Sequence, residues 1–188
     1  AARLTCYAST QAHSSILKAA LIAGLALDAE DREQLRFIPT DASLAMDPGA
    51  LSEAIRRDRA AGLVPCCVIA SVGTTSTTAV DPVDAVARVI GAECPGAWLH
   101  VDAAYSGAAC VCPEFRWMLD GVEHADSIGV NPHKWLLTNF DAGCFWTRDR
   151  ACLVGAMSVT PEYLRNPATD AGRVVDYRDW HVPLGRRF

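Results

Sequence analysis

Residues 65–71 form an unbroken apolar run, Pro-Cys-Cys-Val-Ile-Ala-Ser, that stops at Gly73 and a tract of threonine and serine. A strand with one wetted face alternates apolar and polar positions. A run without alternation is expected of a strand covered on both faces, as in a parallel sheet. The run is too short to span a membrane, and the apolar stretch over residues 16–27 is interrupted by Lys18 and small residues.

Strand-like and helix-like segments alternate around it. Residues 4–8 read as a strand, followed by Ile16, Leu17, Leu21, Ile22 and Leu25 on one helical face, with Ser14 or Ser15 as the cap. Residues 35–39 are a short strand. Asp47-Pro48 is a helix start, an N-cap acid with proline at the first helical position, and Asp81-Pro82 repeats the signature. The first of these helices runs to about Ala61, where Gly62 stops it. Leu51, Ala54 and Ile55 face inward, and Arg56, Arg57, Asp58 and Arg59 make a solvated outer face. Val83, Val86, Val89 and Ile90 give the second helix its buried stripe. Further strands are expected from Trp98, over 128–130 and over 143–147, with a short helix over 112–122 on the sheet edge. This order predicts an α/β fold, a mostly parallel sheet with helices on both faces. Chemistry in such sheets gathers at the carboxyl ends of strands, and His13, Thr75, Asp102 and Lys134 all fall there.

A net charge of −5 over 188 residues argues against nucleic acid or anionic membrane as a partner, because both reward a basic face. Eight cysteines show no Cys-x-x-Cys spacing: Cys66 and Cys67 are adjacent, and Cys110 and Cys112 are one residue apart. They read as free thiols of a reducing, cytoplasmic compartment, with no metal site. No basic start followed by an apolar block marks a secretory signal.

Two stretches concentrate the chemistry. Ser127-Ile128-Gly129-Val130 runs into Asn131-Pro132-His133-Lys134-Trp135, setting a lysine just past a buried strand. Upstream, His100-Val101-Asp102-Ala103-Ala104-Tyr105 offers a carboxylate at a strand end, followed by two small residues. A Schiff-base lysine, an acid for a pyridinium nitrogen and small residues beneath a flat ring are what pyridoxal 5'-phosphate (PLP) needs.

With Gln11-Ala12-His13-Ser14-Ser15 and Cys112-Pro113-Glu114-Phe115-Arg116, these motifs resemble the group II PLP-dependent decarboxylases, most closely the aromatic-L-amino-acid decarboxylases. The resemblance covers nearly the whole chain and keeps the family's motif order. It implies a PLP fold type I (aspartate-aminotransferase-like) large domain and a homodimer with active sites at the interface. Lys134 would hold PLP as an aldimine and Asp102 would pair with its ring nitrogen. Ala104 and His13 would flank the ring, Thr75 would hydrogen-bond the cofactor, and Asn131 and His133 would lie near the phosphate and the lysine. Tyr163, on a mobile catalytic loop over 156–178, would protonate the quinonoid carbon after CO2 leaves. Relatives with phenylalanine there tend to make aldehydes, so Tyr163 favours the amine. Gly185 would leave room for a large aromatic substrate.

The expected organisation is therefore a PLP-binding part over 1–155, the catalytic loop, and the start of a further segment over 179–188. Both ends read as cut from a longer polypeptide, and the phosphate cup expected upstream is missing. The alternatives are decarboxylation of a non-aromatic acid such as glutamate, an aromatic aldehyde synthase, or a non-catalytic fragment.

Overall fold

The structure, a computed structural model, describes residues 3–159, 163, 166–175 and 177–180. Two compact units divide between Trp146 and Thr147. The first is built on a six-stranded sheet whose last strand ends one residue past that division: β1 (Leu4–Ser9), β2 (Leu35–Ile38), β3 (Val64–Ser71), β4 (Trp98–Asp102), β5 (Ser127–Val130) and β6 (Cys144–Thr147). Their spatial order is β2-β1-β3-β4-β5-β6, and every pairing from β2 through β5 is parallel.

Helices cover both faces, as the apolar runs require. On one face α2 (Pro48–Ala60) and α3 (Val83–Glu93) bury Leu51, Ile55, Val86 and Ile90 against Tyr7, Val68, Leu99 and Val101. On the other, α1 (Ser15–Ile22) contributes Ala20, Ile16 and Leu17 to a smaller cluster with Cys6 and Leu35. The period of two sorts each strand between these faces. Val68 and Ala70 of β3 join the first core, as do Leu99 and Val101 of β4, whereas Ser71 and Asp102 do not.

The two Asp-Pro signatures do different work. Asp47 caps α2 as expected, accepting the N–H groups of Gly49 and Ala50 at 2.7 and 3.2 Å. Asp81 caps nothing: Pro82 takes the cap position of α3 without a side-chain bond. The Asp81 carboxylate is instead buried, and it accepts Met46 N–H and Ser71 N–H at 2.7 Å each. Burial pushes its carboxyl above the usual carboxylate range, while the two N–H donors pull it back.

Asp58 departs from the expected solvated face. It is only 2% exposed and takes a two-pronged ion pair from Arg36 (2.9 Å at both oxygens) and the Tyr7 hydroxyl at 3.0 Å. A lone buried carboxylate would be costly, and these donors compensate it. The α1 cap also differs. Ser14 makes no side-chain cap bond, and the N–H of Ser15 goes to His13 Nδ1 at 3.1 Å.

Residues 106–124, where one helix was expected over 112–122, form three 3-10 segments: Ser106–Val111, Pro113–Leu119 and Val122–His124. In the second unit, α4 (Arg150–Met157) is capped by Asp149, and short helical segments occur at Pro167–Asp170 and Tyr177–Trp180. No helix among the described residues is long and apolar enough to cross a membrane.

Asp47→Ala is expected to cost about 1 kcal/mol, the usual worth of an N-cap. Asp81→Ala leaves two buried N–H groups unpaired and is expected to cost roughly 3 kcal/mol. Chemical denaturation of the two variants checks the ranking; equal losses would mean that Asp81 is merely a second cap.

Candidate active site

A cavity of about 460 Å³ opens on the α1 face of the sheet, at the carboxyl ends of its strands. Its lining joins the turn after β1 (His13), the end of β3 and its loop (Ser71, Gly73, Thr74, Thr75), and β4 with its exit (His100, Asp102, Ala104, Tyr105). Ser15 and Ile16 of α1, with Gly129, Asn131, Lys134, Gly143, Cys144 and Phe145, complete it.

Register explains the meeting. Ser71 pairs with Asp102 and Asp102 with Gly129 across three parallel strands, so these residues form one row on one face. Asp102 is held by its own turn, Oδ1 accepting Ala104 N–H at 3.1 Å. The Lys134 loop is stitched to the same exit: Asn131 N–H donates to Ala104 C=O at 3.1 Å, and Trp135 stacks on Tyr105 with ring centroids 4.9 Å apart. Lys134 is half-buried, and its N–H closes the turn on Asn131 C=O at 3.0 Å.

The turn after β3 depends on Gly73, at φ +86°. A Cβ there would fall 1.9 Å from Ser106 Oγ, so the loop can lie against the β4 exit only with glycine. Of the two threonines it delivers, Thr74 spends its hydroxyl on Thr77 and on the N–H of Ala79. Thr75 is exposed and lines the cavity. His13 is also exposed there. Because Nδ1 accepts Ser15 N–H, the ring's N–H donor is Nε2.

One expected residue stands apart from this cluster. His133 is not part of the lining; its Nδ1 accepts Ala142 N–H at 3.1 Å and its ring packs on Phe140, folding the loop after Lys134 back on itself. Tyr163 is exposed and belongs to the second unit. Gly185 lies outside the described residues.

His100, to which the sequence reading attached no role, lines the cavity two residues before Asp102. Its Nδ1 shares a 2.8 Å bond with Ser127 Oγ, which also accepts Trp98 Nε1–H at 2.8 Å. The ring reaches over Gly129 to stack on Phe145, with centroids 6.1 Å apart. Burial lowers its pKa below the ordinary 6.5, against the pull of Asp102. Alternation along β4 was the available signal: a residue two before Asp102 must share its face.

A histidine kept neutral by burial binds fewer protons folded than unfolded. Its contribution to stability is therefore present above about pH 6.5 and lost as pH falls through the lowered folded value. The denaturation midpoint is expected to drop less between pH 7 and pH 5 in His100→Gln than in the wild type, as measured by parallel urea titrations. Equal slopes would contradict a buried neutral imidazole.

A family model described as the pyridoxal-dependent decarboxylase conserved domain matches residues 1–188. The chain is 51% identical over 186 residues to an aromatic-L-amino-acid decarboxylase of Bos taurus, covering 99% of this chain and 36% of that protein. It is 50% identical over 188 residues to a phenylacetaldehyde synthase of Arabidopsis thaliana, covering 99% and 37%. A crystal structure of Oryza sativa TDC with PLP and tryptamine aligns at a TM-score of 0.89 and 50% identity, over 99% of this chain and 37% of that one. The chain spans just over a third of the length of these relatives. A family match over its whole length establishes that the chain belongs to the pyridoxal-dependent decarboxylases.

Proposed function

We propose that the full-length protein decarboxylates an aromatic L-amino acid to its amine and CO2, with PLP held in the cavity described above. The observation that carries the reading is the convergence of Lys134, Asp102, Ala104 and His13 in one cavity at the carboxyl edge of a parallel sheet. The names of the relatives, an aromatic-L-amino-acid decarboxylase and tryptophan decarboxylases among them, support the substrate class.

The residues fit a flat, charged ring. Ala104 and Gly129 keep side-chain bulk away from the Asp102 edge, and a Cβ on Gly129 would take up space 3.8 Å from His100 Cε1. The buried Ser71 hydroxyl has no partner among the described residues and so can serve an occupant. When bound, PLP supplies the electron sink for the pair left on the substrate's Cα as CO2 departs.

This chain's residues do the rest. Lys134 provides the amine that would hold the cofactor. Asp102 carries the charge that would keep a proton on the ring nitrogen. His13, with Nδ1 taken by Ser15, has Nε2–H available to the substrate carboxylate. Thr75 and Asn131 would contact the cofactor, and Gly185 would make room for the substrate ring. Tyr163, which keeps its hydroxyl, would return a proton to Cα.

A homodimer with the site at its interface is part of the same proposal. The exposed Val111, Trp117, Leu137 and Phe140 of the first unit support it, because a second copy could cover them. We also place the protein in the cytoplasm. Cys6 and Cys66 support this as neighbouring thiols, Sγ to Sγ 3.4 Å, with Cys66 held well above the usual thiol range by that contact and by burial.

One observation favours a second reading, an aldehyde synthase: the phenylacetaldehyde synthase is as similar as the decarboxylases. Tyr163 separates the two. Full-length protein given PLP, aromatic amino acids and glutamate is expected to release an aromatic amine, read by mass spectrometry, and Lys134→Ala to release none. Tyr163→Phe is expected to lower amine formation about 100-fold, the worth of a positioned acid, and to divert product toward aldehyde. Aldehyde and peroxide from the wild type would favour the synthase, and an amine from glutamate alone would overturn the aromatic reading.

A further inference from the structure

Ser71 ends β3, lines the cavity and is 2% exposed. Its hydroxyl has no hydrogen-bond partner among the described residues. Such a buried hydroxyl costs about 1–3 kcal/mol, so its retention calls for a partner that arrives from elsewhere. The residue cannot shift to find one. Asp81 grips both sides of its main chain, Oδ2 accepting Ser71 N–H at 2.7 Å and Asp81 N–H donating to Ser71 C=O at 2.9 Å. Only the hydroxyl is free to rotate.

The register partner of Ser71 on β4 is Asp102. Paired residues of parallel strands leave the sheet on the same face, with the strands roughly 4.8 Å apart, which is within reach of a rotating serine hydroxyl. One Asp102 oxygen, Oδ1, already accepts Ala104 N–H.

We infer that Ser71 is a positioning residue for Asp102: with a cofactor ring in the cavity, its hydroxyl donates to the carboxylate and holds that group charged against the ring nitrogen. The inference rests on the PLP reading above. Donors to a carboxylate stabilise its ionised form. With Ala104 N–H and Ser71 O–H both donating, the proton between Asp102 and the ring stays on nitrogen, where electron withdrawal needs it. Burial favours the neutral form of His100, and Ser127 engages its Nδ1.

The test uses full-length protein loaded with PLP carrying ¹⁵N in the ring, in the wild type and in Ser71→Ala, Ser71→Cys and Ser71→Thr. The wild type is expected to give the visible absorbance of bound PLP and a pyridinium-like ¹⁵N resonance. Ser71→Ala and Ser71→Cys are expected to move that resonance toward neutral pyridine and to weaken PLP binding about five- to tenfold, the worth of one hydrogen bond. Ser71→Thr keeps the hydroxyl and is expected to match the wild type in both. If the alanine variant does not fold, the cysteine and threonine variants still decide. A wild-type resonance and affinity without the hydroxyl overturns the inference, as does a threonine variant as impaired as the cysteine one. Failure of the wild type itself to bind PLP overturns the cofactor reading along with it.

Discussion

The in-register parallel pairing of β3, β4 and β5 is the constraint on which everything else in the first unit depends. Because Ser71, Asp102 and Gly129 occupy one row, a hydroxyl, a carboxylate and an open space lie side by side at one sheet edge. A slip of one residue would turn Asp102 into the apolar core and Val101 out of it. The core residues Val68, Ala70, Leu99 and Val101 therefore protect the chemistry by making that slip costly. The chain exits add the remaining groups, with Lys134 tied to the β4 exit through Asn131 and through the Trp135–Tyr105 stack.

Two buried carboxylates brace this frame from outside the cavity. Asp58 gathers Arg36 of β2, the Tyr7 hydroxyl of β1 and its own helix α2 into one charge-compensated knot. Asp81 ties the last residue of β3 to the segment that enters α2. Each replaces water with fixed donors, so each is stabilising only while its partners stay in place. The second brace bears on the site directly, because it fixes the main chain of Ser71 and leaves that side chain a single rotating bond.

Much of the frame was legible in the residues. Unbroken apolar runs gave away doubly covered strands, and the strand–helix alternation gave the parallel order. The positions just past the strands named His13, Thr75, Asp102 and Lys134, and all four line one cavity. What escaped was set by tertiary partners that no local pattern encodes. Asp81-Pro82 looks like Asp47-Pro48, yet its carboxylate is claimed by amides 10 and 35 residues away. Asp58 sits among arginines in sequence, but Tyr7 and Arg36 draw it inward. His133 stands one residue from Lys134, and a turn directs its ring to Ala142 and Phe140 instead of the cavity. His100 could have been found from the period of two, whereas the unpaired state of Ser71 could not, since it depends on every neighbour at once.

Attachment of the cofactor in this cavity, through Lys134, is the proposal on which the others rest. The chain contains two lysines, Lys134 in the cavity lining and Lys18 on the exposed side of α1. Full-length protein loaded with PLP, reduced with borohydride and digested, can be mapped by mass spectrometry for the phosphopyridoxyl group. The label is expected on the peptide containing Lys134. A label on Lys18, or a fully labelled protein whose Lys134 peptide is unmodified, would contradict it.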